Sequence, residues 1–109
     1  MGTELVISFE VEGKHYWPEA PELYKEFETP HSHIFKVICF FNTKESDDPT
    51  RRELELFALR RQCLQLVTNH YNGMFGGMSC EGIADSIKQL VEASRVFVGE
   101  DQWFGALVS

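Results

Sequence analysis

Three histidines have the residue type and spacing that suit metal binding. His31 and His33 are separated by one residue, and His15 lies upstream of them. Alternate residues of a β-strand share a face with Cα atoms about 6.6 to 7 Å apart, so the imidazoles of His31 and His33 can converge on one ion. Three protein ligands with an open fourth position are typical of catalytic zinc. The alternative is that these are ordinary surface histidines near the start of a strand.

The segments that carry these histidines are predicted to be strands. Residues 5–11 alternate apolar and polar side chains, and the odd-numbered face extends to His15. A polar loop over residues 19–30 then leads to a second strand that starts near His31. Nearly every residue from 34 to 41 is apolar, which predicts a strand covered on both faces. Because so short a chain has one helical layer to offer, we expect a second subunit to cover the other face.

The middle of the chain changes from a strand pattern to a helix pattern. Residues 44–49 are polar and indicate a solvated turn, and residues 52–56 alternate as if completing a hairpin. Apolar residues at intervals of three and four then predict a helix over residues 56–70.

A second helix and a closing hairpin are predicted for the remainder. Ser79 stands where a hydroxyl caps a helix start, and the helix is expected to stop near Ser94. Residues 96–108 alternate around a polar turn, which predicts the hairpin. The order is therefore ββ(β)ααββ, in one α+β domain that spans residues 1–109.

Composition excludes several classes of function. The 109 residues carry a net charge of −7, and no Lys/Arg cluster is larger than a pair, so we expect no nucleic-acid partner. The three cysteines, Cys39, Cys63 and Cys80, form no Cys-x-x-Cys motif or disulfide framework, which favours a reducing cytoplasm. No apolar stretch approaches about 18 residues and the N-terminus lacks a signal-peptide pattern, so we expect no membrane association.

Several motifs follow one another in a definite order and spacing. They are a strand leading to His15, His-x-His-x-Phe at residues 31–35, Glu55-Leu56-x-x-Leu59-Arg60, Met78-Ser79-Cys80-Glu81 and Val96-x-Val98-x-Glu100. Together they resemble the 6-pyruvoyl-tetrahydropterin synthase and 6-carboxy-tetrahydropterin synthase family over almost the whole chain. The resemblance implies the tunnelling fold, an antiparallel sheet with two helices packed on one face. Its subunits join edge to edge into barrels, so we expect a homo-oligomer, for example a hexamer.

The resemblance also implies a metal and a ligand. His15, His31 and His33 match the zinc-binding histidines of the family, with Ser32 where the family usually has glycine. Glu100 matches the acidic residue that holds the pterin, and a carboxylate can accept two parallel hydrogen bonds from the amino group and ring N–H of a pterin or purine. The alternative for Glu100 is an ordinary exposed hairpin residue.

Ser79 and Cys80 fall where the family places small residues that touch the pterin. Each also has a structural explanation, because a serine caps a helix start and a cysteine packs in apolar surroundings. Contact with the ligand and a purely structural role both stay open.

The catalytic positions depart from the family pattern. Phe27 stands where the synthases carry a proton-transferring cysteine. One branch uses glutamate in Glu-x-x-His-Gly-His instead, and Glu28 fits that pattern, so Glu28 is the candidate acid/base and a solvated loop carboxylate is its alternative. Asn69-His70 replaces an Asp-His pair, and asparagine cannot stabilise a protonated imidazole as a carboxylate does. His70 is thus a candidate relay or a helix-end residue.

The function that the resemblance implies is a zinc-dependent pterin-processing lyase. It would act on a dihydroneopterin-type substrate, with side-chain cleavage to 6-hydroxymethyl-dihydropterin favoured over elimination of triphosphate. One alternative is a non-catalytic tunnelling-fold module that binds a pterin or purine through Glu100. Another is a purely structural zinc, for which Glu28 or a neighbouring subunit would supply the fourth ligand.

Overall fold

Two long strands, which contain the three histidines, form the centre of the fold. The computed structural model describes residues 3–43, 51–101 and 104–109. Its elements are, in chain order, β1 (Glu4–His15), a 3₁₀ segment (Glu22–Glu28), β2 (His31–Asn42), α1 (Arg52–Tyr71), β3 (Met74–Gly76), α2 (Cys80–Val91), β4 (Arg95–Glu100) and β5 (Phe104–Val108). The chain is therefore α+β, as predicted.

The five strands form one sheet in the order β3-β1-β2-β4-β5. β1 and β2 are antiparallel along their whole length, from the pair Glu4 and Asn42 to the pair His15 and His31. β3 runs parallel to the end of β1, so the sheet is mixed and not wholly antiparallel as expected. This three-residue strand lies between the helices and was not predicted, because a segment that short has no readable period.

The predicted strand over residues 52–56 is wrong, because these residues form the first turns of α1. An alternation of five residues is too short to exclude a helix. Glu53 and Glu55 in the first turn also favour a helix, since acidic side chains interact well with its N-terminal end. The predicted turn at residues 44–49 lies outside the described residues.

Both helices pack on one face of the sheet. The buried strand residues alternate along each strand; they are Ile7 and Phe9, then Phe35, Val37 and Cys39, then Val96 and Val98. The helices contribute Cys63, Val67, Ile83, Ala84 and Ile87 to the same cluster. The predicted cap of α2 is confirmed, because Ser79 Oγ accepts a hydrogen bond of 3.3 Å from the Gly82 N–H.

The second face of β2 is apolar and is only partly covered by the described part of the chain. Ile34 is 55% exposed, while Ile38 and Phe40 are half-buried. Cover by a second subunit stays a prediction. Within the described residues, no helix combines the length and the apolar content that crossing a membrane requires.

Gly13 leaves space for an aromatic side chain beneath the histidines. It lies directly opposite His33 in the β1–β2 ladder, and a Cβ at this position would overlap the ring of Phe75. That ring is fully buried, with its centroid 5.2 Å from that of Phe35 and 4.9 Å from that of Tyr71. The Phe75 ring therefore cannot shift to make room for a Cβ at position 13.

We expect Gly13→Ala to lower the free energy of unfolding by about 1 to 3 kcal/mol, because the added methyl overpacks a closed core. Urea denaturation measures the change. Ser8→Ala, on the exposed face of the same strand, is the matched control and should change it by less than about 0.5 kcal/mol. Equal stability of the two variants would contradict the packing described here.

The three cysteines are free and buried. Burial, with a smaller contribution from Cys63, raises the pKa of Cys39 from 9.0 to about 12. Unfolded Cys39 therefore ionises above pH 9 while the folded thiol keeps its proton.

The stabilising contribution of this group is complete below pH 9 and is lost as the pH rises further. We expect the unfolding free energy to fall by roughly 1 kcal/mol between pH 8 and pH 10 because of Cys39. Urea denaturation under reducing conditions at both pH values measures it, and Cys39→Ala should show a drop smaller by this amount. An identical drop in the variant would rule out Cys39 as the source.

Candidate metal centre

The end of β1 and the start of β2 bring the three histidines together. His15 is the last residue of β1 and lies opposite His31, the first residue of β2, while His33 follows on the same face. The ring centroid of His15 lies 4.6 Å from that of His31 and 5.1 Å from that of His33. Their nitrogen ligand atoms all lie within 4.8 Å of one another, so this group could hold a metal ion.

Hydrogen bonds at Nδ1 fix the orientation of these rings. The Nδ1–H of His15 donates to the Met78 carbonyl and that of His31 to the Thr29 carbonyl, both at 3.0 Å. A carbonyl only accepts, so each of these two nitrogens carries a proton, and in the neutral ring Nε2 then keeps its lone pair. Metal-binding histidines commonly have this arrangement, in which an outer acceptor holds one nitrogen and the other faces the metal.

His33 has a carboxylate in the outer position. Asp101 Oδ2 lies 3.4 Å from its Nδ1, and Asp101 has a backbone φ of +52°. That left-handed conformation is costly for most residues, but asparagine, aspartate and glycine tolerate it. The turn after β4 thus brings a charged acceptor to the outer nitrogen of His33.

Glu100 lies at the inner nitrogens of two of the rings. Its Oε1 is 3.0 Å from His33 Nε2, and its Oε2 is 3.4 Å from His15 Nε2. The Cys80 thiol donates to the same carboxylate at 3.7 Å. Burial, together with the negative charge of Glu100, raises the pKa of Cys80 to about 11, so the thiol keeps its proton at neutral pH.

This arrangement of buried groups fits a cation. Among the described residues, His15 Nε2 and His33 Nε2 are buried without a hydrogen-bond partner, and both face the Glu100 carboxylate. Two lone pairs directed at a negative group repel it, and protonating both rings would place two positive charges side by side. One metal ion relieves both repulsions, and imidazole nitrogens suit zinc.

A cavity of about 620 Å³ opens beside the histidines. His15, His31, Ser79, Cys80 and Glu100 line it, as does Glu81 in the first turn of α2. Aromatic side chains form much of the remaining wall. The size is typical of small-molecule sites, which combine an apolar lining with a few polar groups.

The two predicted catalytic residues lie outside this lining. Glu28 forms an ion pair with Lys25, with Oε1 2.5 Å from Nζ, and His70 is exposed near the end of α1 with its ring against Tyr71. Phe27 does line the cavity, and its ring meets the His31 ring edge-on at 5.4 Å.

Sequence reasoning missed the outer acceptors and part of the cavity wall. The carbonyls of Thr29 and Met78 could not be found, because every residue has one. The position of Asp101 directly after Glu100 could have indicated a role at the site. The aromatic character of Trp17 and Tyr24, in and beside a polar loop, could have indicated that they line a cavity. These signals do not show which side chains meet.

Neither a comparison with protein-family models nor a search of curated proteins finds a match to this chain. The family named from the motifs therefore stays a prediction.

We expect Asp101→Gly to weaken zinc binding by about 10- to 100-fold, because the outer acceptor of His33 is lost while the left-handed backbone is retained. Asp101→Asn removes the same charge but keeps an acceptor oxygen, so its loss should be smaller. Competition with a chromophoric chelator measures both affinities.

Glu92→Gly is the matched backbone control, because Glu92 also has a positive φ, of 58°, and lies at the end of α2 away from the site. Its zinc affinity should equal that of the wild type. Wild-type affinity in Asp101→Gly would show that Asp101 does not position His33.

Proposed function

We propose that this chain is a zinc-dependent lyase that processes the side chain of a pterin, with a dihydroneopterin-type substrate. The observation that carries the proposal is the convergence of His15, His31 and His33 beside a cavity of about 620 Å³. Structural zinc sites are usually closed by four protein ligands, whereas a three-histidine site beside a cavity can admit a substrate. Bound zinc would supply a Lewis acid that lowers the pKa of hydroxyl groups on the ligand.

Polar groups of the cavity would orient the heterocycle. The Glu100 carboxylate can accept hydrogen bonds from the amino group and ring N–H of a pterin or purine. Ser79 Oγ acts as acceptor in its helix cap, so its O–H is able to donate to a ligand. The protonated Cys80 thiol donates to Oε2 of Glu100.

Proton transfer would fall to carboxylates in the cavity wall. Glu81 and Glu100 line the cavity, while Glu28 is engaged by Lys25. Glu28 could take part only after leaving that ion pair, which is partly exposed and therefore weak.

The tunnelling fold and a barrel-forming homo-oligomer belong to the same proposal, as does a cytoplasmic location. Among the described residues, β3 pairs with β1 only at Lys14 and His15, so the outer edge of residues 4–13 has no strand partner. β5 forms the opposite edge of the sheet. Two unpaired edges are what edge-to-edge assembly needs.

A second candidate is a non-catalytic module that binds a pterin or purine and retains the metal. The placement of Glu28 and His70 outside the cavity lining favours it, because neither residue expected to move protons then borders the ligand cavity. A structural zinc is a third arrangement. The carboxylate beside the ring nitrogens is Glu100, and not Glu28 as expected for a fourth ligand.

Metal analysis tests the site. We expect stoichiometric zinc in the wild-type protein after reconstitution, and its loss in His31→Ala with an unchanged circular dichroism spectrum. His70→Ala is the control and should retain zinc, since His70 is exposed and outside the trio. A wild-type protein that binds no zinc would overturn the proposal.

Product analysis then separates the candidate functions. The zinc-loaded protein is incubated with dihydroneopterin and with its triphosphate, and products are identified by mass spectrometry. A product with a shortened side chain supports the lyase. Stoichiometric zinc and ligand binding without turnover contradict the lyase and support the binding module.

A further inference from the structure

Three aromatic rings form a continuous wall of the cavity. Trp17 and Tyr24 are stacked with ring centroids 5.7 Å apart and planes inclined by 25°, and Tyr24 and Phe27 follow at 6.3 Å and 27°. All three line the cavity. We call Trp17, Tyr24 and Phe27 the aromatic wall.

The chain brings these rings together across a kink. Tyr24 and Phe27 lie three residues apart in the 3₁₀ segment, which is kinked at Tyr24 (φ −119°, ψ 26°), and their rings are stacked. The Trp17 N–H donates to the Phe27 carbonyl at 2.8 Å and so brings the start of the loop to its end. Lys25 and Glu28, which follow the kink and are also three residues apart, form an ion pair.

The residues of the aromatic wall are exposed, so packing in the hydrophobic core does not account for them. Trp17 and Tyr24 are each 44% exposed and Phe27 is 39% exposed, and no residue of the 3₁₀ segment is buried. Adjacent exposed aromatic residues are typical of a surface that binds something. Their position beside a small-molecule cavity indicates a ligand as the occupant.

The aromatic wall begins at the metal centre. The Phe27 ring meets His31 edge-on, and the stack continues through Tyr24 to Trp17. A ligand held at the histidines would therefore extend along the aromatic wall.

The charge of the cavity restricts what that ligand carries. Among the described residues, no lysine or arginine lines it, whereas Glu81 and Glu100 do. The cation of the neighbouring loop, Lys25, is taken up by Glu28 and by the Ala20 carbonyl. The chain also has a net charge of −7. Apart from the proposed metal, a phosphate group here would find no cationic partner among the described lining residues, and the two carboxylates would repel it.

We infer that the aromatic wall is a stacking subsite for an uncharged planar ligand, and that the cavity selects the unphosphorylated ligand against its phosphate ester. The identification of the planar ligand as a pterin rests on the proposed function. The substrate class is then a neutral heterocycle with an uncharged hydroxylated side chain. Phosphate would have to be removed by a hydrolase before such a ligand reached this protein.

Tryptophan fluorescence of the zinc-loaded protein tests the subsite. The chain has two tryptophans, and Trp103→Phe leaves Trp17 as the only tryptophan, which is excited selectively at wavelengths that tyrosine does not absorb. Neopterin and neopterin triphosphate form one pair of probes, and guanosine and guanosine triphosphate form a second pair that does not depend on a pterin. We expect each neutral probe to quench Trp17 and to bind at least about tenfold tighter than its triphosphate.

Wall variants give the second arm, read by calorimetry so that no tryptophan is needed. Trp17→Leu and Tyr24→Leu should each weaken binding of the neutral probes about five- to tenfold, because a stacking contact is lost. Tyr24→Lys should reduce the preference over the triphosphate by adding a cation. Phe57→Leu, an exposed aromatic residue of α1 outside the cavity, is the matched control and should bind like the wild type.

The outcomes distinguish this inference from the proposed function. Zinc-dependent neopterin binding that the wall variants leave unchanged would overturn the stacking subsite and leave the proposed function standing. Guanosine binding that depends on the wall, without any neopterin binding, would support the subsite and overturn the pterin assignment. Triphosphates that bind as tightly as the neutral probes, or no quenching by any probe, would overturn the inference.

Discussion

The antiparallel register between β1 and β2 is the constraint on which the site depends. It sets His15 opposite His31 and Gly13 opposite His33, so that all three imidazoles lie on one face. A shift of one residue would turn every side chain of one strand to the other face and separate His15 from the pair. The buried residues of the same face, Phe35 among them, oppose such a shift because it would expose them. The packing of the core therefore sets the geometry of the metal centre.

The electrostatics of the site depend on this burial. Glu100 lies between two ring nitrogens and the thiol of Cys80, at the border of the apolar core. Groups placed there lose water and must find partners within the protein. The thiol meets this need by staying protonated, and the ring nitrogens would meet it by binding a cation. A metal would then also stabilise the fold, because it binds the folded arrangement and not the dispersed histidines.

The 3₁₀ segment divides the loop into two sides. The rings of Tyr24 and Phe27 line the cavity, whereas Lys25 and Glu28 pair with each other and are not among the lining residues. The loop thereby gives the cavity an apolar wall, while the lysine of the loop and the carboxylate that was expected to act as the base lie outside the cavity lining. The sequence pointed to Glu28 in a polar loop but did not show which loop residues face the cavity. A loop has no predicted period from which residues on a shared side could be identified.

Prediction from sequence succeeded where a long period was present. The strands around His15 and His31, the cap at Ser79 and the two helices follow from alternation, from helical spacing and from the chemistry of a hydroxyl. It failed over residues 52–56, where five alternating residues suit a strand and a helix turn equally, and at β3, which exists only because it pairs with the end of β1.

By itself the sequence determined that three histidines fall on one face of adjacent strands, because the twofold period of a strand is a local property. Only the tertiary structure decided that Glu100 and Asp101 meet those histidines and that Cys80 bonds to Glu100, while Glu28 and His70 do not join the cavity lining. Those contacts join residues far apart in the chain, and their geometry is set by how β4 and α2 pack against the first two strands.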